Sequence, residues 1–178
     1  MSVFTNAGGS PSNASAYTAA LLELLGPRDP RDVLRSTVSV LSGRIASIPH
    51  EALRVPEAAG KWSIIEVVQH LADSELVAGW RYRMAIAHDR PAITGFDQDL
   101  WATRLGYDAA DRDEALLQFA VLRRANVRLL DGLPPADLAR VAVHAERGEE
   151  SVAHMMKLYA GHDLLHLRQI ERIATAIA

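Results

Sequence analysis

The chain has 178 residues, a net charge of −3 and no cysteine, which excludes disulfides, thiolate metal ligands and a cysteine nucleophile. Its length and its apolar content of 49% suit one compact domain with a substantial core. The slightly acidic balance argues against a nucleic-acid partner, and the lack of an 18-residue apolar run predicts no membrane association through a spanning helix. We therefore expect a cytoplasmic protein.

The first part of the chain combines a polar tail with two predicted helices. Residues 1–15 are rich in Ser, Gly and Asn and lack the basic and apolar regions of a signal peptide, so we predict a flexible tail followed by one domain over residues 16–178. A short helix is predicted over residues 16–25, where Gly26 and Pro27 end it. Asp29 and Pro30 form an N-cap and a first-turn proline, which predict a helix to about residue 47.

The rest of the chain is also predicted to be helical. A capping box from Ser63 to Glu66 begins a helix that extends to about residue 88. Residues 91–110 predict a crossover with a short helix near 97–104, and further long helices are predicted over residues 111–130 and from Ser151 to about 175, with a connector at 136–150 between them. The predicted fold class is all-α: a four-helix bundle with long crossover connections and short extra helices.

Two histidines lie on the buried face of the last predicted helix. His162 and His166 are four residues apart, so on a helix their side chains lie on one face within reach of a common ion. Most of that face is apolar, which predicts that it is buried. Two buried imidazoles need several partners, and either hydrogen-bonding groups or one metal ion would satisfy them. The spacing alone leaves both interpretations open.

His70 is the candidate third ligand, because it lies at the centre of an unusually polar stripe on the helix that begins at Ser63. Glu66 and Asp73 lie one turn to either side, where they could orient a ligand imidazole or simply face solvent. The sequence contains neither His-Glu-x-x-His nor Glu-x-x-His, which excludes the zincin and ferritin-like di-iron patterns. Three imidazoles would leave an open coordination position, as a catalytic ion requires.

Two segments resemble the signatures of the DinB-like superfamily. The first is KWSIIEVVQHLADSE at residues 61–75, and the second is GHDLLHLRQI at residues 161–170. The resemblance covers residues 30–178 in order and spacing. It implies a bundle in which His70, His162 and His166 bind one divalent ion, commonly zinc or nickel, and it implies a homodimer. Some members of the superfamily are transferases or isomerases that use low-molecular-weight thiols such as bacillithiol or mycothiol, and many have no known activity.

Three functions are compatible with these residues. The first is a metal-dependent thiol S-transferase acting on a small-molecule substrate, in which the ion lowers the pKa of a bound thiol and Glu66, Asp73 or Gln169 orients the ligands. The second is hydrolysis by metal-activated water. The third is a non-enzymatic, stress-related metal-binding protein, which predicts a closed site without a pocket.

The wall of a substrate pocket has four candidate residues in the sequence. Arg81 follows His70 on the same predicted helix. Three aromatic side chains lie in the predicted crossover: Phe96, Trp101 and Tyr107. Taken singly, each of the three aromatic residues is more typical of the core at the end of the bundle.

Overall fold

A computed structural model describes residues 11–177 of the chain. Within this range most of the chain is helical. The α-helices are α1 (Pro11–Leu25), α2 (Pro30–Ile45), α3 (Ile64–Ala87), α4 (Gln98–Arg104), α5 (Arg112–Asp131), α6 (Pro135–Leu138) and α7 (Val152–Ile177). Two short 3₁₀ helices cover Ala52–Arg54 and Tyr107–Ala109.

Four long helices form a closed bundle, as predicted. Going around the bundle, α2 packs against α7, α7 against α3, α3 against α5, and α5 against α2. Helices α2 and α3 therefore lie across the bundle from each other, as do α5 and α7. Each of these diagonal pairs is joined by a long connection, at residues 46–63 and 132–151, because the chain must cross the end of the bundle. Helix α1 packs outside this ring, on α7.

Side-chain caps at the helix starts explain why the helix boundaries follow from the sequence. Asp29 and Asp111 each accept hydrogen bonds from backbone N–H groups of the first turn, at 2.7 to 3.0 Å. The backbone N–H and the hydroxyl of Ser63 both donate to Glu66 Oε2, at 2.7 and 2.8 Å, and complete the predicted capping box. Ser151 Oγ accepts from the backbone N–H of His154 at 3.1 Å and caps α7.

The structure adds a small sheet that the sequence analysis does not predict. Strands β1 (Ala92–Ile93), β2 (Val141–His144) and β3 (Gly148–Ser151) lie side by side in that order. β1 pairs with β2 in parallel and β2 pairs with β3 in an antiparallel hairpin, and β3 leads directly into α7. Strands of two to four residues are too short to show an alternating pattern clearly, which explains why they were missed.

The N-terminal boundary also differs from the prediction. Helix α1 begins at Pro11, so residues 11–15 are helical, whereas the sequence predicts them to be part of the tail. Residues 1–10 lie outside the described range. None of the helices in that range combines the length and the apolar character that a membrane span requires.

Candidate metal centre

Three histidines from two helices meet inside the bundle, between its two hydrophobic core clusters. His70 lies on α3, and His162 and His166 lie one turn apart on α7. His162 Nε2 lies 3.1 Å from His70 Nε2 and 3.0 Å from His166 Nε2. One ligand atom from each of the three residues falls within 4.8 Å of the others. The packing of α3 against α7 therefore brings together the three side chains that the sequence analysis selected.

The nitrogen separations fit a single small cation. Nitrogens bound at about 2.0–2.1 Å to one tetrahedral ion lie about 3.3 Å apart. The two measured Nε2–Nε2 distances, 3.0 and 3.1 Å, are close to that value. Three imidazole nitrogens form a donor set suited to zinc, nickel, copper or iron rather than to magnesium or calcium. The arrangement fits a divalent transition metal.

The protonation of the three imidazoles also suits metal binding. Burial lowers the pKa of His166 to about 4, although a hydrogen bond to Gln169 opposes the shift. Burial lowers the pKa values of His70 and His162 well below the usual range, and the neighbouring imidazoles lower them further. All three rings are thus neutral near pH 7. A neutral imidazole is the form that can donate its lone pair to an ion.

Of the three residues predicted to orient the ligands, the structure places only Gln169 next to a histidine. Gln169 Oε1 lies 2.8 Å from His166 Nδ1, so it accepts the proton of that nitrogen and leaves Nε2 free as a donor to a metal. Glu66 instead forms the capping box of α3 with Ser63, where it supports the helix rather than a ligand.

Asp73 also has a different set of partners from the predicted ones. Its Oδ2 accepts a hydrogen bond from the hydroxyl of Tyr107 at 2.6 Å, and its Oδ1 accepts from Gln118 at 3.1 Å and Gln69 at 3.3 Å. Tyr107 is buried and belongs to this cluster rather than to a pocket at the histidines. The aspartate therefore joins α3 to α5 and to the crossover.

A cavity opens onto the histidine cluster. His70, Ser74 and Arg81 of α3 line one side of it, and His162 and Tyr159 of α7 line another. The hairpin of β2 and β3 contributes a charged edge, and α1 contributes residues such as Leu21 to the wall. The space within the cavity is about 700 Å³ when its open mouth is included.

Two of the four predicted pocket residues line this cavity. Arg81 and Phe96 form part of its wall, and the Phe96 ring lies 6.4 Å from the His70 ring. Trp101 packs on Phe96 with 4.5 Å between ring centroids but does not itself line the cavity. Tyr107 binds Asp73 instead, as described above.

Sequence reasoning missed a buried charge network beside the cluster. Arg123 of α5 donates to both oxygens of Asp163, at 2.6 and 3.0 Å, and lies 2.9 Å from Glu75 Oε2. All three side chains are buried. Asp163 follows a candidate ligand directly in the chain, so this network fixes α7 against α3 and α5 at the level of the histidines. An aspartate on a mostly apolar helix was the signal that could have revealed it.

A second missed residue, Ser74, lies within the site itself. It follows His70 by one turn of α3, and its Oγ is 3.3 Å from His70 Nε2. It is buried and lines the cavity. The spacing of four residues from the histidine could have identified it.

Two histidines outside the cluster differ in their surroundings. His154 is partly buried at the start of α7 and does not belong to the cluster. His144 of β2 is buried, and its Nδ1 accepts a hydrogen bond from the backbone N–H of Glu146 at 3.1 Å. Burial, with the nearby Arg147 and Arg81, lowers the pKa of His144 to about 4.

The sequence matches one family and several bacterial relatives. The family model described as DinB superfamily matches residues 34–170. A protein of Oceanobacillus iheyensis is 30% identical over 131 residues, which are 74% of this chain and 76% of that protein. A protein of Bacillus mycoides is 31% identical over 130 residues, which are 73% of this chain and 75% of that protein. The names of both relatives describe metal-dependent hydrolases.

A solved structure has the same fold. YfiT from Bacillus subtilis, described as a "probable metal-dependent hydrolase with an unusual four-helix bundle topology", superposes with a TM-score of 0.76 and 20% sequence identity. The match covers 96% of this chain and 90% of that chain. At this identity the similarity establishes the bundle and its connections.

Proposed function

This chain belongs to the DinB superfamily, and on that basis we propose that it is a divalent-metal-dependent hydrolase of a small molecule. The observation that carries the proposal is the convergence of His70, His162 and His166 at the wall of an open cavity. The names of the relatives support hydrolysis as the reaction.

The open cavity favours an enzyme over a metal-stabilised structural protein. A structural metal site is normally closed by protein ligands, whereas a catalytic site keeps a coordination position accessible. Here three imidazoles supply one ligand atom each, and two of the three residues, His70 and His162, line the cavity. A molecule in the cavity would therefore have direct access to an ion held by the histidines.

The side chains around the three histidines have different roles in such a site. A bound divalent ion supplies a Lewis acid and lowers the pKa of a water molecule to near neutrality. Gln169 holds the ring of His166 so that Nε2 faces the cluster. The Ser74 hydroxyl, 3.3 Å from His70 Nε2, is placed to donate a hydrogen bond to an oxygen of a substrate at the ion. Phe96 and Leu158 make part of the wall apolar and reduce the access of bulk water.

The thiol transferase expected from the family resemblance is a second candidate. The open cavity supports it, because a low-molecular-weight thiol and an electrophile could reach an ion at the histidines by the same route as water. Both candidates use the same ion and the same three ligands, and they differ in the nucleophile.

The first experiment measures the metal itself. We expect one zinc or nickel ion per chain by elemental analysis of the purified protein, and loss of the ion in His166→Ala. In Gln169→Ala we expect the affinity for the ion to fall about 10- to 100-fold, because the ring of His166 loses its hydrogen-bond partner. His154→Ala is the matched control on the same helix and should retain the ion. Full metal occupancy in His166→Ala would refute the site.

The second experiment separates the two reactions. The metal-loaded protein is incubated with a panel of carboxylic and phosphate esters and amides, and separately with a generic electrophile in the presence and absence of a low-molecular-weight thiol. Hydrolysis without thiol that is lost in His166→Ala supports the hydrolase. Loss of the electrophile only when thiol is present supports the transferase. A loaded protein that does neither would favour a non-enzymatic role.

We also propose that the protein forms a homodimer, as the family resemblance implies. Helices α3 and α5, which pack against each other, carry large apolar side chains with about half of their surface exposed: Leu76, Trp80, Leu117 and Val121. Such side chains are typical of the centre of an interface between subunits. Light scattering on the purified protein tests this proposal, with an expected mass of twice 19.4 kDa.

A further inference from the structure

Arg81 is a buried cation on the wall of the cavity. Only 5% of its surface is exposed, and it lines the same cavity as His70 and His162. Its Nη1 donates to the hydroxyl of Tyr159 at 3.0 Å, and its Nη2 donates to the backbone carbonyl of Thr94 at 2.6 Å. These two bonds fix the plane of the guanidinium without neutralising its charge.

No carboxylate among residues 11–177 forms an ion pair with Arg81. Glu150, the buried acid on the adjacent hairpin, is held by both nitrogens of Arg147, at 2.6 and 2.9 Å. His144 Nε2 lies 3.5 Å from Arg81 Nη2, but the other ring nitrogen of His144 is occupied as an acceptor. The neutral ring therefore carries its proton on Nε2 and offers Arg81 no acceptor.

The guanidinium also keeps unused hydrogen-bond donors. An arginine has five N–H groups, and two of those on Arg81 are used by Tyr159 and Thr94. Its Nε is fully buried and has no hydrogen-bond partner within the part of the chain that the structure describes. Leaving a buried charged donor without partners is costly, so such a residue is usually completed by a ligand or by a neighbouring acid.

Arg81 is placed on the same face of α3 as the candidate metal ligand. Eleven residues separate it from His70, which corresponds to about three helical turns and a rise of about 16 Å. Side chains on a helix lean towards its N-terminus, so the guanidinium leans back towards the histidine. On α7 the facing residues Tyr159 and His162 are three residues apart, a rise of about 4.5 Å. These backbone rises place the arginine about one to three helical turns from the histidine cluster.

The charges of the cavity favour an anionic ligand. Arg147 and Glu150 neutralise each other. Glu146 also lines the cavity, at the exposed edge of the hairpin, and forms no ion pair with Arg81. Three neutral imidazoles add no negative charge to offset a divalent ion. A loaded cavity would therefore contain two separate positive centres, the ion and the guanidinium of Arg81.

We propose that Arg81 binds an oxyanion, a carboxylate or a phosphate, on a substrate whose reactive group lies at the three histidines. The proposal rests on the metal site of the proposed function and adds the substrate class: a small molecule with an anionic group about 5 to 16 Å from the bond that reacts. A guanidinium presents a planar fork that matches the geometry of both oxyanions. Tyr159 acts as the positioning residue, because its hydroxyl holds Nη1.

The test uses small molecules that carry a metal-binding hydroxamate group at one end. Aliphatic hydroxamates that end in a carboxylate are compared with their neutral methyl esters on the metal-loaded protein by titration calorimetry. We expect the carboxylate to bind at least about tenfold more tightly, the effect of one charged hydrogen-bonded pair. A matching phosphonate shows which of the two oxyanions is preferred.

Variants test whether Arg81 causes the preference for the carboxylate over the methyl ester. Arg81→Met should abolish the preference while the neutral ester still binds, and Arg81→Lys should restore part of it, since the charge returns without the fork. Tyr159→Phe should weaken the preference and serves as the second variant if Arg81→Met does not fold. Arg83→Met is the matched control, because Arg83 is an exposed arginine of the same helix that does not line the cavity.

The outcomes separate this proposal from the metal site. Equal affinity for the ester and the carboxylate in the unmodified protein, or an unchanged preference in Arg81→Met, would overturn the oxyanion site and leave the metal site intact. If neither probe bound the protein in the presence of zinc or nickel, the metal site would fail, and the oxyanion proposal would fail with it.

Discussion

Gly161 sets the distance between α1 and α7, next to a candidate metal ligand. A Cβ added at this position would lie 2.3 Å from the backbone oxygen of Leu21 and 2.8 Å from its carbonyl carbon. Ordinary contact begins at 3.4 Å, so in Gly161→Ala the two helices would have to separate by about 1.1 Å, and a packed core resists such shifts. Leu21 also lines the cavity, so the substitution moves part of the cavity wall.

Two opposing effects determine the size of the change in stability. Overpacking of a core costs about 1–3 kcal/mol, and the clash here is with backbone, which cannot rotate away. Alanine in a helix interior gains up to about 1 kcal/mol over glycine. We therefore expect Gly161→Ala to lower the free energy of unfolding by about 1–2 kcal/mol. For a chain of this length, that corresponds to a decrease in Tm of about 2–8 °C.

Gly43 provides a matched control in α2. It is also a glycine inside a long helix, but an added Cβ there would meet nothing within 4 Å. Gly43→Ala should raise the free energy of unfolding by about 0.5–1 kcal/mol, because only the helix preference remains. Thermal and urea unfolding followed by circular dichroism measure both variants. If Gly161→Ala were stabilised as much as Gly43→Ala, the close approach of α1 to α7 would be refuted.

Two further predictions concern charged and titratable groups. Arg123→Met should lower the free energy of unfolding by at least about 3 kcal/mol, because it leaves the carboxylates of Asp163 and Glu75 buried without their cation. Arg35→Met, which removes a surface ion pair, should leave the midpoint of the same urea titration nearly unchanged, because exposed ion pairs contribute little to stability. Equal effects of the two substitutions would contradict the argument. Because the pKa of His166 is lowered in the folded protein, the unfolded chain binds more protons than the folded chain below pH 6.5. The contribution of His166 to the free energy of unfolding is therefore fully present above pH 6.5 and is lost as the pH falls through about 4. Over this pH interval the free energy of unfolding of the metal-free protein should fall by up to about 3 kcal/mol because of this residue. The fall should be smaller in His166→Asn. An identical pH profile for the two proteins would show that His166 does not contribute.

Much of the fold and the three clustered histidines could be predicted from local sequence patterns. Helix starts follow from caps that lie within three residues of the groups they bind, such as Asp29 and Ser63. The spacing of His162 and His166 determines that they share a face once the segment is helical. The position of His70 beside them followed from the family resemblance, since no local pattern relates residues 92 positions apart.

The tertiary structure decided what each polar residue contacts. Glu66 and Asp73 each lie about one helical turn from His70, yet Glu66 closes the capping box of α3 and Asp73 binds Tyr107, 34 residues away. The three short strands depend on pairing between residues 91–93 and 141–151, and a two-residue strand carries no pattern of its own.

The same holds for the two arginines on which the charges of the site depend. The sequence placed Arg81 on the histidine face of its helix, but only the packed structure shows that Tyr159 and Thr94 hold it without an acid. Arg123 gave no local signal, although 40 residues further along the chain Asp163 becomes its partner. Helical periodicity assigns a face to each side chain, whereas burial, partners and charge balance arise only when distant segments meet.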